Sequence, residues 1–485
     1  MNGRLLMRPA VLAALLAPCV PAHALDVLRA QQDIPATAAG AMLSADGCPT
    51  GAPERPLRLA EAVARSLCSN PKTRQAWADV KAQAAGVGAA RAAYLPTVSA
   101  NWQGMRENSV VDIENHPALG SDYTATVRSE GVSLNWLLFD FGGREATLRN
   151  ANALLEAARA TQDATLQEEF ATVAKDYFGA QTAMGELDAA RDVESMTRQS
   201  MVAAQARTER GVAPVTDALQ AQTQHEQAVF SLTKAESDMQ TALGTLASDM
   251  NLDPSVALEV PAVTEDARTD ATFSEPVAQM IRDVQTAHPS VRAAQAQYEA
   301  ALAKVSQTRA QGLPSISLVG KYSRDNQPES MGLGLPTYPA TGHEAYVGIQ
   351  VSIPLFEGFG RHYQTDQARA QAERQLDSVD DARRQVALDV WTSFQALTGA
   401  TSNAQNSARL LDIAQQAWKA AQHRYDAGVG NILELLNTQA ALANAKQRRI
   451  QALAGWDTAR VELASKLGRL ELDSISGQRY QWEGK

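Results

Sequence analysis

The 485-residue sequence predicts an α+β membrane protein with four amphipathic strands per chain and long coiled-coil helices. Two observations lead to this fold class. One is an internal repeat, and the other is a change of hydrophobic period, from two to about 3.5 residues, within each repeat. Both repeats have the same order of elements: a helix, two strands, a long helix, a tight turn and a second helix.

Two motifs define the internal repeat. LFDFGGR at residues 138–144 returns as LFEGFGR at 355–361, and RTERGVAPVTD at 207–217 returns as RYDAGVGNILE at 424–434. Both second copies follow the first after 217 residues, so we expect the two halves to build the same substructure. The predicted boundaries are 57–250 for the first repeat, 251–275 for a linker, 276–467 for the second repeat and 468–485 for a tail.

The N-terminus has the pattern of a secretory signal peptide over residues 1–24. Arg4 and Arg8 precede an apolar run at 11–16, and AHA at 22–24 matches a cleavage site. Cleavage there changes the formal net charge from −10 to −12, because the segment contains two arginines and no acid. An acidic exported chain is not expected to bind nucleic acid or anionic lipid headgroups.

The three cysteines fall into two groups. Cys19 offers an alternative cleavage site, at which the signal peptide would be cut before the cysteine and the cysteine would carry a lipid. Pro18, directly before the cut, disfavours this alternative. In an oxidising compartment Cys48 and Cys68 are expected to form a disulfide. It would close a loop of about 20 residues and stabilise the folded chain by on the order of 3 kcal/mol. The disulfide would hold an N-terminal extension, residues 25–56, on the first helix; two unpaired buried thiols are the alternative.

Four segments of about 10 to 13 residues alternate between apolar and polar side chains. The clearest places these residues on one face: Ala345, Val347, Ile349, Val351 and Ile353. Such segments can cross an outer membrane when tilted, but an open sheet leaves its edge N–H and C=O groups unsatisfied in lipid. Since spanning barrels need about eight strands, two or more chains must combine, with polar faces around a wet lumen.

The remaining segments are long, alanine-rich helices. They are predicted at residues 57–93, 142–207, 216–250, 276–312, 359–425 and 431–467. Apolar residues step by four and three along the first long helix, as in a coiled coil: Leu166, Phe170, Val173, Tyr177, Ala180, Met184 and Leu187. The long helices would reach roughly 100 Å and the others about 55 Å. Two ordinary helical bundles joined by a proline-rich linker are the alternative, which leaves the strands unexplained.

The sequence carries no recognisable catalytic or metal-binding pattern. Its seven histidines have no metal-ligand spacing with the cysteines, and no phosphate-binding loop or nucleophile motif occurs. We expect no enzyme activity, no metal and no cofactor. Any energy for transport would have to come from a partner.

Several motifs, in this order and in duplicate, resemble the TolC family of outer-membrane channel-tunnels. They are Asn70-Pro71, the junction of Arg91 with Leu95-Pro96 and its copy, and the duplicated motifs given above. The resemblance covers about residues 57–467. It implies a homotrimer with a twelve-stranded barrel in the outer membrane of a Gram-negative bacterium and an α-helical tunnel in the periplasm. A periplasmic adaptor and an inner-membrane ABC transporter would open its tip.

The region around the two later cysteines is similar to the branch of this family that serves type I secretion of RTX-type toxins. This similarity implies an exit duct for an unfolded protein. One alternative is the outer-membrane channel of a small-molecule efflux pump. Another, from a different class, is a periplasmic coiled-coil protein without a pore.

The resemblance also implies a gate near the turns. In the family a tyrosine, an arginine and two acids near the second turn face a Thr-Asp pair near the first. Tyr425 and Glu434 match the tyrosine and the first acid, and Thr216 and Asp217 match the pair.

Two positions depart from the family's gate. Asn437 stands at the position of the second acid and Gly430 at that of the arginine, so the salt-bridged gate is incomplete here. The helix dipole alone would also favour Asp217 and Glu434 as acids in the first turn of a helix, and both interpretations stay open. A ring of these acids in a trimer would favour cations.

Six residues of the turns are candidates for contact with the adaptor: Arg207, Gly211, Val212, Arg424, Gly428 and Val429. Each glycine follows a long helix, where a left-handed cap is easiest without a Cβ. Plain connecting loops are the alternative.

Overall fold

The computed structural model describes residues 26–32, 34–43, 48–261, 276–330, 335 and 337–470. The predicted signal peptide with Cys19, the linker from 262 onward and the tail from 471 onward lie outside the described residues. The chain divides into two compact units. Of the described residues, a strand unit contains those at 84–139 and 315–352 with those before 35, and a helical unit contains the others.

The strand unit is one antiparallel sheet with a small hairpin. Its strands are β1 (Thr97–Val111), β2 (Ser121–Phe139), β3 (Ser315–Asp325), β4 (Glu329–Ser330), β5 (Thr337–Tyr338) and β6 (Gly342–Ser352). The main sheet has the order β1-β2-β3-β6, so pairing of β2 with β3 joins the two repeats. The short strands β4 and β5 pair with each other in a separate two-stranded sheet.

The first two strands are longer than predicted. They have 15 and 19 residues, whereas β3 and β6 have 11 each, within the predicted length. Pairing of β1 with β2 continues without a register shift from Thr97↔Asn135 to Val111↔Ser121. The ladder therefore runs up to a short connecting loop, and the extra pairs satisfy backbone groups that a longer loop would expose.

The helical unit contains two sets of four helices. The first set is α1 (Leu59–Ser69), α2 (Pro71–Ala92), α3 (Gly143–Glu209) and α4 (Val215–Asp249), of which α2 ends in the strand unit. The second set is α5 (Val277–Ala287), α6 (Pro289–Ala310), α7 (Gly360–Asp426) and α8 (Ile432–Lys466). Both long helices have 67 residues and both return helices have 35. None of the described helices has the length and hydrophobicity of a transmembrane helix.

The single helices predicted at 57–93 and 276–312 are wrong, because each is broken in two. Asn70 and His288 are extended, with ψ of 133° and 136°. Each precedes a proline, whose ring disfavours the helical conformation of the residue before it. The breaks fall at equivalent places in the two repeats, which agrees with their common architecture.

The predicted seam of α3 is the core of the helical unit. Six of its seven residues are buried, among them Phe170, which is 1% exposed, and Met184 packs against them. The seam contacts α1 and α4, including Leu57, just before α1, and Leu246 of α4. Interlocking apolar side chains at this spacing make a coiled coil, as the sequence predicts.

The N-terminal extension is fastened to the helical unit. The predicted Cys48–Cys68 disulfide is present, with the Cα atoms 5.9 Å apart. Trp77 Nε1 donates a hydrogen bond to the Pro35 carbonyl (3.0 Å), which anchors the extension on α2.

Candidate functional site

The ends of the two long helices form the candidate site. In the first turn the Gly211 N–H donates to the Thr208 carbonyl (2.9 Å), and the Val212 N–H donates to the Arg207 carbonyl (3.0 Å). Gly211 has a φ of 74°, a left-handed conformation that glycine adopts without strain. Pro214 then precedes α4.

The second turn repeats this pattern with different residues. Gly428 has a φ of 77°, and the Val429 N–H donates to the Arg424 carbonyl (3.0 Å). Asn431 replaces the proline and caps α8, since its Oδ1 accepts from the Leu433 N–H (2.9 Å). The turns are therefore alike in backbone but not in side-chain chemistry.

Arg207 and Tyr425 join the two turns directly. Arg207 Nη2 donates a hydrogen bond to the Tyr425 carbonyl (2.6 Å). The Arg207 Cζ also lies 4.1 Å from the centroid of the Tyr425 ring, a cation–π geometry. One guanidinium thus holds both the backbone and the ring of Tyr425.

Tyr425 is 5% exposed and lies in an apolar cluster shared by both turns. The other buried members are Ala204, Ala221, Ile432, Leu435 and Leu436. Burial raises the pKa of the tyrosine hydroxyl, the positive charge of Arg207 opposes the rise, and Asp217 and Asp426 add to it. The ring therefore stays neutral at physiological pH and contributes packing and a π face.

The other predicted gate residues lie around this cluster. Asp217 is half-buried in the first turn of α4, and Thr216 beside it is exposed. In the second turn Glu434 lies 3.7 Å from an Arg424 guanidinium nitrogen, and Asn437 is exposed. The structure thus brings Tyr425 into contact with Arg207. The roles of the predicted gate residues stay predictions.

Sequence reasoning missed two features of this region. A Cβ on Gly430 would lie 2.7 Å from the Tyr425 backbone nitrogen, so this position has no room for a side chain. Below the turns, Gln439 Nε2 donates to Ser200 Oγ (2.7 Å) in a buried contact between α8 and α3. The lack of space at Gly430 had one signal in the sequence: the first turn has an alanine, Ala213, at the equivalent position.

The four-stranded sheet has two chemically different faces. One face carries apolar rows that cross all four strands: Val98, Leu134, Gly320 and Val347, and next to them Ala100, Val132, Tyr322 and Ala345. The opposite face carries polar rows, where the hydroxyls of Ser99 and Ser133 lie 2.8 Å apart. Although apolar, Val347 is 74% exposed. Among the described residues, β1 and β6 each pair on one side only.

The family model for outer membrane efflux proteins matches the chain twice, at residues 62–251 and 280–469. The chain is 33% identical to protein CyaE of Bordetella pertussis over 427 residues, 87% of this chain and 86% of CyaE. It is 25% identical to the alkaline protease secretion protein AprF of Pseudomonas aeruginosa, over 79% of this chain and 78% of AprF.

A solved structure shows the same fold. The outer membrane protein VceC from Vibrio cholerae superposes with a TM-score of 0.71 and 18% identity, over 84% of this chain and 96% of VceC. The double family match and this superposition confirm the predicted fold class, with four strands per chain and an internal repeat, and the predicted outer-membrane location. This chain belongs to the outer membrane efflux protein family, which comprises transport channels rather than enzymes.

Proposed function

We propose that three copies of this chain combine their strands into one twelve-stranded barrel in the outer membrane, and that their helices form the periplasmic part of the channel. The observation that carries this proposal is the open sheet, which has an exposed apolar face and, within the described part of the chain, two edge strands that pair on one side only. In lipid the edge groups of β1 and β6 need partners, and neighbouring copies can supply them. The polar faces would then surround the lumen.

We infer that the cargo is an unfolded protein of the RTX-toxin type. An inner-membrane ABC transporter would deliver it, and a periplasmic adaptor would connect that transporter to the channel. The similarity of the cysteine-containing region to the type I secretion branch supports this inference. So does the likeness to AprF, a relative named for secretion of a protease.

The exposed tips of the two turns are the proposed contact with the adaptor. Val212 and Val429 are 74% and 72% exposed, and each follows a glycine in a left-handed turn. An apolar side chain on an exposed rigid turn suits docking between helices of a partner. The gate would form just behind these tips, around Tyr425 and Asp217.

Small-molecule efflux is the second candidate, favoured by the description of the family that matches the chain. Deleting the gene and measuring both protein in the medium and sensitivity to drugs would separate the two. If the channel serves protein secretion, the exported protein should accumulate inside the cells of the deletion strain, and the drug sensitivity of that strain should change little. Unchanged secretion with increased drug sensitivity would decide for efflux.

The oligomer has its own test. Purified protein in a mild detergent should have three times the mass of one chain and should conduct ions in a planar lipid bilayer. A stable monomer, or a trimer without conductance, would contradict the channel and favour a structural coiled-coil protein.

A further inference from the structure

We propose that Arg207 is a positioning residue of the gate, which holds Tyr425 and the second turn against the end of α3. The proposal rests on the channel function proposed above. It assigns to Arg207 a role inside one chain, between the two repeats, instead of a contact with the adaptor.

Two interactions hold Tyr425 to Arg207. The guanidinium of Arg207 donates to a carbonyl at 2.6 Å and lies over a ring at 4.1 Å, so displacing Tyr425 breaks both contacts at once. Hydrogen bonds from charged donors and cation–π contacts are strongest where water is excluded. Tyr425 is buried and Arg207 is half-buried, so solvent weakens this contact less than one on the surface.

The second turn has no cation of its own for this purpose. Position 430 must be glycine, because a Cβ would meet the backbone of Arg424 and Tyr425 at 2.7 to 2.9 Å. Arg424 lies on the exposed side of the turn, where Glu434 is its partner at 3.7 Å. The positive charge that reaches Tyr425 therefore comes from the other turn.

Comparison of the repeats makes the assignment specific. A shift of 217 residues superposes Arg207 on Arg424 and Thr208 on Tyr425. Thr208 stays within its own turn, where its hydroxyl donates to the Ala204 carbonyl at 3.0 Å. The first turn thus supplies the arginine and the second supplies the aromatic ring. Moving the α7–α8 hairpin away from α3 would require this pair to separate.

An adaptor contact through Arg207 fits the geometry less well. Its guanidinium points to Tyr425, whereas the neighbouring Val212 is largely exposed at the tip. A partner that docks on the tip would meet the valine first.

The test compares Arg207→Gln with Arg207→Lys, and uses Arg210→Gln as the matched control. Arg210 directly follows the same helix as its C-terminal cap and is exposed, and its substitution removes the same charge. The readout is the ratio of closed to open time of the purified channel in a planar lipid bilayer, without cargo or partner. Arg207→Gln should lower this ratio about tenfold or more. Arg207→Lys, which keeps the charge but not the planar fork, should lower it less, and Arg210→Gln should match the wild type.

Tyr425→Leu provides a second route to the same result. It should lower the closed-to-open ratio as Arg207→Gln does, and combining the two should add little, because they remove one shared contact. Thermal unfolding of the two Arg207 variants should change little, since this guanidinium is only half-buried and a gating contact need not support the fold.

A wild-type ratio in Arg207→Gln would overturn the proposal, as would equal effects of Arg207→Gln and Arg210→Gln. A fully additive double variant would also overturn it. Because the assay contains no cargo, its result does not depend on whether the duct carries proteins or small molecules. An inactive wild-type protein would instead refute the channel itself.

Discussion

Asp249, the last residue of α4, should make the stability of the helical unit depend on pH. Burial raises the pKa of its carboxyl to about 7, the carboxylates of Asp176 and Glu169 add to the rise, and Lys72 opposes it. An unfolded aspartate has a pKa of about 4. The folded state therefore binds the extra proton between about pH 4 and 7, and the stability that this proton brings is lost as the pH rises through 7.

The magnitude follows from the size of the shift. A rise of about three pKa units corresponds to at most about 4 kcal/mol, at about 1.4 kcal/mol per unit. Part of the Asp249 side chain reaches solvent, so we expect about 1 to 2 kcal/mol at pH 8.5. Asp249→Asn removes the charge and nearly keeps the shape. It should stabilise the protein by this amount at pH 8.5 and by only about a third of it at pH 5, because the difference grows as the pH rises from about 4 to 7.

The assay is thermal unfolding in a mild detergent, followed by the helical circular dichroism signal between pH 5 and 9. The midpoint of Asp249→Asn should exceed that of the wild type by about 1 to 3 °C at pH 8.5. Asp253→Asn is the matched control, because hydrogen bonds from Ser255 lower the pKa of that exposed carboxyl and its loss should bring no gain. Equal gains of Asp249→Asn at pH 5 and pH 8.5 would refute the reasoning from ionisation.

Three further changes test other parts of the molecule. Replacing Cys48 and Cys68 by serine should lower the free energy of unfolding by on the order of 3 kcal/mol. Limited proteolysis of the N-terminal extension should then be faster, and an unchanged cleavage rate would contradict this. Phe170→Ala should cost about 3 to 5 kcal/mol and lower the unfolding temperature. A cost below about 1 kcal/mol would mean that the seam is loosely packed. Gly430→Ala should increase channel opening, because its Cβ would approach a backbone nitrogen at 2.7 Å, whereas Gly399→Ala has free space around it in α7 and should conduct normally. Equal conductance of the two variants would argue against a tight second turn.

The helical seam could be predicted from sequence because its signal is local and repeated. Residues such as Leu166 and Phe170 recur every three or four positions, and burial of that stripe follows from helix geometry. The helix breaks were missed although their signal was present. Alanine-rich composition favoured continuous helices, but Pro71 and Pro289 forced the residues before them into extended conformation.

The contact between Arg207 and Tyr425 could not be predicted in the same way. The two residues are 218 positions apart, and each repeat offers an arginine at the equivalent place. Local patterns do not say which arginine faces which ring, since that depends on how the helix pairs pack. The raised pKa of Asp249 has the same origin, because burial and neighbouring carboxylates come from residues distant in sequence.

The proposed gate lies at two turns that share a backbone path but differ in side-chain chemistry. Both turns need the same backbone path, and glycines at 211 and 428 preserve it with positive φ in both copies. Their side chains are free to diverge, because they do not determine that path. The first turn has an arginine that reaches across, and the second has a buried tyrosine and a glycine with no room for a Cβ. Two identical turns would place an arginine opposite an arginine, whose like charges repel. In this chain the arginine of one turn faces the tyrosine of the other, a contact that can form or break. Duplication would thus explain the scaffold of the channel, and divergence of the copies its ability to close.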